Sequence, residues 1–277
     1  MKTYFIVSDV HSFYYQMEKA LVDKGFDFNN ENHVLIVCGD AFDRGPDTKI
    51  LFQFLRKMHQ QNRLIYIRGN HEDLLFSCIR EIFGGHTPSH HHFSNGTMDT
   101  IAQLCDHSHS GYLSVITDSK KWEVYDNVKP LMDFINKVCV DYLETPHHIF
   151  VHGWVPCSTL DTNIYHARKK FDTVDPIWNQ PEDPLYDGAW KAARWINGME
   201  AWHQGCKIEG KTIVCGHWHC SWGWSHLRRE RKEFPQKNWK NWTQAFEPFA
   251  DEGILAIDAA TSYSGIVNCI MLKEEDL

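Results

Sequence analysis

Short apolar runs bounded by glycine and polar residues recur along the chain and predict β-strands. In the first half they alternate with longer segments whose apolar residues follow helical spacing. This alternation predicts an α/β fold with right-handed crossovers between parallel strands. The predicted strands are Thr3–Val7, Val34–Val37, Leu64–Ile67, His148–Val151, Thr212–Val214, Ile254–Ile257 and Ile266–Leu272, and the predicted helices are Ser12–Lys24, Thr48–Met58, His71–Phe83, Thr97–Leu104, Val128–Leu143 and the amphipathic segment Gly188–His203.

The regular alternation stops after Phe83, where a polar loop begins at Gly84-Gly85. We expect residues 84–145 to form a largely helical, cap-like insertion above the edge of the sheet. Residues 222–250 are rich in tryptophan and mixed charge, and they predict an irregular excursion near the same edge. No repeat or linker divides the chain, so residues 1–277 are predicted to form a single domain.

The composition is that of an ordinary globular protein, with 43% hydrophobic and 23% charged residues among 277. A net charge of −8 disfavours a stable nucleic-acid complex. No run approaches the length of a membrane span, and the nine cysteines include no CxxC pair. These features, together with an N-terminus that runs directly into a strand, predict a cytoplasmic protein that does not bind membranes. They do not indicate an oligomeric state.

Side chains that can bind metals follow directly after five of the predicted strands, where open α/β sheets place their ligands. A single strand-end Asp or His is ordinarily structural, but five such positions in register indicate a shared site. Carboxylate, imidazole and amide groups without cysteine suit Mn²⁺, Fe or Zn²⁺. Asp40 is the natural bridge between two cations about 3.5–4 Å apart, and a water between them would become a hydroxide nucleophile. The residues are Asp9 and His11, Asp40 and Asp43, Asn70 and His71, His152, and His217 with His219.

Five short motifs carry a resemblance to a known family: Asp9-x-His11, Gly39-Asp40-x-x-Asp43-Arg44-Gly45, Gly69-Asn70-His71-Glu72, His152-Gly153 and Gly216-His217-x-His219. In this order they resemble the blocks of the calcineurin-like metallophosphoesterases. The GDxxDRG and RGNHE forms are most similar to the phosphoprotein phosphatase branch and its bacterial and phage relatives, which include the symmetrical diadenosine tetraphosphate hydrolases. The resemblance implies a four-layer sandwich, with two mixed sheets packed face to face, helices outside and a helical cap.

The resemblance also implies roles for these residues. Asp9, His11 and Asp40 would bind one divalent metal, and Asp40, Asn70, His152 and His217 the other, with Mn²⁺ as the expected ion. His71 would be the general acid, with Asp43 fixing its tautomer. Arg44 would bind the phosphate oxygens.

Two further site residues are predicted where the sequence departs from the family's motifs or lies between them. His219 extends the fifth motif to GHxH, in which the second histidine of the wider superfamily binds a metal; the alternative is a histidine that faces the substrate. Arg194 is the candidate for a second phosphate-binding arginine, and the alternative is a helix charge packed on tryptophan.

Substrate class is the least determined prediction. A phosphoserine or phosphothreonine protein phosphatase activity is the leading hypothesis, and hydrolysis of a dinucleoside polyphosphate or another nucleotide is the alternative. Trp218 makes the fifth motif similar to that of the diadenosine hydrolases, and this supports a dinucleotide substrate. A nuclease is disfavoured by the net charge, and a catalytically inactive scaffold by the intact motifs. His90–His92 are expected to form a solvated loop or a fortuitous metal trap, and the basic cluster around Arg228 a solvated face.

Overall fold

Two five-stranded sheets form the centre of the computed structural model, which describes residues 1–106, 120–159, 170–180, 186–229 and 245–277. The seventh and eighth strands form a separate two-stranded antiparallel ribbon. The described strands are β1 Thr3–Val7, β2 His33–Cys38, β3 Leu64–Ile67, β4 Cys139–Val140, β5 Leu143–Glu144, β6 His148–Phe150, β7 Cys157–Thr159, β8 Phe171–Val174, β9 Thr212–Cys215, β10 Phe249–Asp251, β11 Ile254–Ala256 and β12 Ile270–Lys273.

The first sheet has the order β12-β1-β2-β3-β4, and the second has the order β10-β11-β9-β6-β5. In the first, β1 to β4 are parallel and only β12 is antiparallel to its neighbour. In the second, β11, β9 and β6 are parallel, and the two edge strands are antiparallel. Parallel neighbours end at the same edge of a sheet, so the loops after β1, β2 and β3 emerge together, as do those after β6 and β9.

The two sheets pack face to face through alternate residues of their strands. Ile6, Ile36 and Ile67 of the first sheet share one buried cluster with Phe150 and Val214 of the second. Their sequence neighbours point to the opposite faces, because side chains alternate along a strand. A strand that is buried on both faces reads as an unbroken apolar run, and this is why the sequence predicts these strands from short hydrophobic runs.

Helices cover the outer face of each sheet and complete the four layers. On the first sheet, α2, α3, α5 and α6 pack with the outward residues of β1, β2 and β3. On the second, α7 and α8 pack with those of β6, β9 and β11. The described helices are α1 Tyr14–Asp23, α2 Thr48–Gln60, α3 Asn70–Phe83, α4 His90–Ser94, α5 Thr97–Leu104, α6 Lys121–Val138, α7 Tyr186–Ala193, α8 Gly198–His203, α9 Cys220–Trp222 and α10 Thr261–Ser264, with a π-helix at Gly223–Arg228. The predicted sandwich of two mixed sheets flanked by helices is confirmed.

Some element boundaries differ from those predicted. The helix expected at Val128–Leu143 begins at Lys121, because buried Val124 extends its apolar face upstream of Val128. It ends at Val138, because two short strands follow it. The segment Gly188–His203 is two helices, since Asn197 caps the second by accepting a hydrogen bond from the backbone N–H of Glu200 (3.3 Å).

The stretch expected to form a cap contains α4, α5 and α6 where it is described, and α5 and α6 share the core of the first sheet. Its last residues also form β4 and β5, which are edge strands of the two sheets. Residues 107–119 of this stretch and residues 230–244 of the tryptophan-rich excursion lie outside the described residues. The single-domain organisation with an insertion at 84–145 and an excursion at 222–250 stays a prediction.

Candidate metal and phosphate site

The loops that follow β1, β2 and β9, at the edge where the parallel strands end, have an unusual backbone conformation. Asp9 and Asp40 have a φ of 51° and His217 a φ of 65°, which is the left-handed region that side chains disfavour. Each such conformation costs on the order of 1–3 kcal/mol and persists only where surrounding contacts fix it. His11, Asp43 and Arg44 share this conformation. Strain is therefore concentrated on the residues predicted to act on phosphate.

Glu72, in the first turn of α3, holds the loop that carries Asp40. Its buried carboxylate accepts hydrogen bonds from the backbone N–H groups of Asp40 (3.0 Å), Ala41 (3.0 Å) and Gly69 (2.7 Å), and from the Tyr66 hydroxyl (2.6 Å). The sequence indicates no role for Glu72 beyond its place in a motif. Its acidic side chain at the start of a helix was the available signal.

Asp40 lies at the centre of the cluster. Its Oδ1 accepts a hydrogen bond from the backbone N–H of His71 (2.9 Å) and lies 3.2 Å from Nε2 of His152. The same Nε2 lies 2.8 Å from Oδ1 of Asn70. The structure thus brings together residues that follow three different strands.

Two groups of potential ligands share Asp40. One contains His11, Asp40 and His71, and the other contains Asp40, His152 and His217; within each, one ligand atom per residue lies within 4.8 Å of the others. Asp9 belongs to neither group among the described residues, but it lies next to them, and its Oδ2 accepts a hydrogen bond from the backbone N–H of His217 (2.9 Å). The arrangement is what a bridging carboxylate between two cations requires.

Backbone carbonyls orient two of the imidazoles. Nδ1 of His11 lies 3.0 Å from the carbonyl oxygen of Phe42, and Nδ1 of His152 lies 2.9 Å from that of Cys38. A carbonyl can only accept, so each Nδ1 carries a proton and each Nε2 faces the cluster. This is the tautomer of a metal-binding histidine whose other nitrogen is held by the protein.

Electrostatics at the cluster favour a cation. Burial and the neighbouring Asp258 raise the pKa of Asp9 well above its usual range. Burial lowers the pKa of His217 to about 3 and that of His11 well below its usual range, so both rings are neutral ligands at pH 7. Although burial opposes its ionisation, His152 and His71 hold the pKa of Asp40 well below its ordinary value. Although burial lowers it, the neighbouring carboxylates of Asp40 and Asp9 raise the pKa of His152 to about 10, so this ring would lose a proton on binding a metal. Ionised Asp40 and the neutral rings of His11 and His217 are donors that fit divalent metals.

Asp43 and His71 form a buried pair beside this cluster. Nδ1 of His71 lies 2.7 Å from Oδ2 of Asp43. The carboxylate also accepts hydrogen bonds from the hydroxyls of Thr97 to Oδ2 (2.9 Å) and Thr100 to Oδ1 (2.8 Å), both on α5. The sequence predicts Thr97 and Thr100 only as part of a helix, because a threonine on a helix carries no sequence signal for such a contact.

Arg44 is exposed and points into the same cavity. Its guanidinium donates to Nε2 of His11 (3.0 Å) and to Nε2 of His71 (3.2 Å), and it lies 3.5 Å from Oδ1 of Asn95. A planar cation next to the predicted acid and a predicted ligand is well placed to bind a phosphate oxygen.

A cavity of about 810 Å³ opens over these groups. Its polar floor is formed by the predicted metal ligands, and Asp258 lies beside them with a pKa that burial raises to about 6. Aromatic side chains form much of the remaining wall: Phe171, Trp195, Trp218 and Tyr263. The sequence singled out Trp218 but not Trp195 or Tyr263.

His219 lines the cavity, but it belongs to neither group of ligand atoms among the described residues. Its Nδ1 lies 2.5 Å from the hydroxyl of Ser221, and burial lowers its pKa to about 4. This geometry supports the alternative of a histidine that faces the substrate.

Arg194 is not brought to the cluster. Its side chain is buried, and its two terminal nitrogens pair with the carboxylates of Asp73 and Asp141. Both of its ion-pairing partners lie far from it in sequence, so the geometry supports an ionic link between α7 and the first sheet instead of a contact to phosphate.

The sequence profile of the calcineurin-like phosphoesterases matches residues 2–221. The chain belongs to this family. The family uses two metal ions. Among the described residues, no helix is long and apolar enough to cross a membrane.

Individual relatives match less of the chain. It is 29% identical over 83 residues to the asymmetrical bis(5'-nucleosyl)-tetraphosphatase PrpE of Bacillus subtilis, and 28% identical over 83 residues to that of Bacillus velezensis. These matches cover 28% of this chain in both cases, and 34% and 33% of the relatives. The chain therefore aligns with about a third of their length. A cold-active protein-tyrosine phosphatase of a psychrophilic Shewanella has a similar fold, with a TM-score of 0.48, 15% identity and coverage of 99% of this chain and 76% of that one.

Proposed function

We propose that this chain hydrolyses a phosphoric ester or anhydride at a two-metal site. One ion would be held by Asp9, His11 and Asp40, and the other by Asp40, Asn70, His152 and His217. When bound, such ions neutralise phosphate oxygens and activate water for attack. Mn²⁺ is the expected metal, and Fe or Zn²⁺ would suit the same mixed oxygen and nitrogen donors.

The observation that carries this proposal is the His71–Asp43 pair, which adjoins Asp40 and opens onto the cavity that Arg44 also faces. Asp43 holds Nδ1, so Nε2 is the atom that would protonate the leaving oxygen. Arg44 would bind the phosphate and stabilise the charge that develops during transfer. His71 and Arg44 therefore act on the two sides of the bond that breaks.

Two substrate classes remain, as the sequence predicts. The leading hypothesis from the sequence, a phosphoserine or phosphothreonine monoester, is supported by the motif forms and by the exposed Arg44. The alternative, a dinucleoside polyphosphate, is supported by the aromatic wall, because Trp195 and Tyr263 keep 46% and 63% of their surface exposed at the cavity. Aromatic side chains in such positions stack on nucleobases. The names of the Bacillus relatives agree with this class, and the geometry leads us to favour it.

The test compares three substrates after reconstitution with Mn²⁺: diadenosine tetraphosphate, a phosphothreonine peptide and p-nitrophenyl phosphate. Stacking is worth about 1–3 kcal/mol per base, so Trp195→Ala should lower kcat/KM for the dinucleotide about 5- to 150-fold and leave the aryl phosphate unchanged. Trp122→Ala is the matched control, since Trp122 is 64% exposed on α6 and does not line the cavity. A preference for the peptide, with no effect of Trp195→Ala, would return the assignment to a protein phosphatase.

A further inference from the structure

A second cluster of metal-ligand side chains lies between the C-terminal end of α3 and the short helix α4. Glu81 comes from α3, and His91 and His92 come from α4. One ligand atom from each of the three lies within 4.8 Å of the others. None of them lines the phosphate cavity, so this cluster is separate from the site described above.

The distance between two of the donors fits a shared cation better than a direct hydrogen bond. Nε2 of His92 and Oε1 of Glu81 are 3.3 Å apart, longer than the usual N–H···O distance of about 2.9–3.0 Å. Two ligands on a tetrahedral Zn²⁺ with bonds of about 2.0–2.1 Å lie about 3.3 Å from each other. The observed separation therefore matches one edge of a zinc coordination tetrahedron.

The cluster is also organised before any ion binds. Oε2 of Glu81 accepts hydrogen bonds from the backbone N–H of Ser89 (2.7 Å) and from its hydroxyl (3.0 Å), which leaves Oε1 directed to His92. Hydrogen bonds from Ser89 and the nearby His92 lower the pKa of Glu81 although partial burial opposes this, so its carboxylate is ionised. Burial and His91 lower the pKa of His92, so its ring is neutral.

The ring of His92 is held in the protein and directed at Glu81. Its side chain is fully buried, and its Nε2 faces Oε1 of Glu81. Buried polar groups are ordinarily paired, and an imidazole held beside an ionised carboxylate and a second imidazole is a metal ligand in many proteins. The exposed His91 ring lies 3.9 Å from the His92 ring between centroids, on the solvent side, where an ion would enter.

We propose that Glu81, His91 and His92 bind a zinc ion, with a water in the fourth position, as a third metal site of this chain. Two imidazoles, one carboxylate and a tetrahedral edge are the donor set and geometry of Zn²⁺. The ion joins the end of α3 to α4. The chain then continues from α4 to Asn95 and Thr97, which contact Arg44 and Asp43, so the zinc stabilises the segment that supports the acid and the phosphate-binding arginine.

The experiment counts zinc on full-length, tag-free protein that has been stripped with a chelator, saturated with Zn²⁺ and freed of unbound metal by gel filtration. Mass spectrometry of the metal should give one equivalent more for the wild type than for His91→Gln. His90→Gln is the matched control, because His90 is exposed on the same helix and outside the group, and it should keep the full count. The difference between wild type and His91→Gln does not depend on how many ions the phosphate site holds.

A second measurement separates ligation from a change in folding. His92 is buried, so its replacement is a poor test, whereas Glu81 is 24% exposed in its side chain and Glu81→Gln keeps its shape. Zn²⁺ should raise the Tm of wild type and His90→Gln more than that of His91→Gln or Glu81→Gln. Equal zinc counts in wild type and His91→Gln, or an equal rise in Tm in all four proteins, would overturn the proposal.

Discussion

Thr100→Val is the most informative single substitution at the acid. The Thr100 hydroxyl donates to Oδ1 of Asp43 (2.8 Å) and accepts from the backbone N–H of Asp43 (2.9 Å). Valine keeps the shape of threonine and removes both interactions. Asp43 would still be bonded by Thr97 and His71, so the substitution weakens the position of the carboxylate without removing it.

The magnitude follows from these two bonds. A hydrogen bond to a charged group contributes about 1.5–3 kcal/mol, and a buried donor left without an acceptor costs about 1–3 kcal/mol. We therefore expect the free energy of unfolding to fall by about 2.5–6 kcal/mol. Loss of a general acid costs about 10²–10⁴-fold in rate, and a misaligned acid should cost less, about 10- to 100-fold in kcat.

The assay compares an alkyl phosphate with an aryl phosphate at a temperature where both proteins are folded. An alkoxide needs protonation as it leaves and a nitrophenolate does not, so kcat should fall for the alkyl substrate and stay nearly constant for the aryl one. Thr100→Ser retains the hydroxyl and should restore the wild-type ratio. An equal loss on both substrates would refute the reasoning, because it would mean that Thr100 supports the fold and not the alignment of His71.

Three further predictions concern the same cavity. His71→Asn should lower kcat on the alkyl phosphate by about 10²–10⁴-fold while metal content stays at the wild-type value; unchanged turnover would remove His71 from the acid role. Asp40→Asn should reduce the bound metal measured by mass spectrometry, and retention of both ions would argue against a bridge. His219 has a folded pKa of about 4 against an ordinary 6.5, so its neutral form stabilises the fold above pH 6.5 and this stability is lost as the pH falls towards 4. In metal-free protein His219→Gln should therefore flatten the fall in the urea midpoint between pH 7 and pH 4.5, and an unchanged slope would contradict burial as the cause.

The sheets were predictable because their signal is local. A strand buried on both faces needs consecutive apolar residues, and Ile6 and Ile36 meet this need in the space between the sheets. Helix boundaries were less predictable. Pro130 suggests a late start for α6, but the packing of neighbouring residues extends this helix upstream of the proline. Tertiary contacts decide such positions, and these contacts are not visible in a window of sequence.

The ligands were predictable for a related reason. Each follows its strand within a few residues, so Asp9 and Asp40 need only parallel neighbours in the first sheet to meet at one edge. His152 follows a strand of the second sheet and meets them because the two sheets pack face to face. The residues that hold the candidate ligands in place do not follow a strand in this way. Glu72 acts through the backbone N–H groups of Asp40 and Ala41, which belong to a different loop. Arg194 is paired by Asp73 and Asp141, which lie 121 and 53 residues away. Local patterns identify groups that do chemistry, and only the fold identifies their supports.

The helix α5 shows why the supports matter for function. It lies outside the motifs, yet it supplies two hydroxyls to Asp43, and its N-terminal neighbour Asn95 lies beside Arg44. The acid and the phosphate-binding arginine therefore depend on the same segment, which the proposed zinc ion would hold at its other end. A change in that segment should alter both groups together, so zinc removal from the third site should weaken phosphate binding and protonation of the leaving group in parallel.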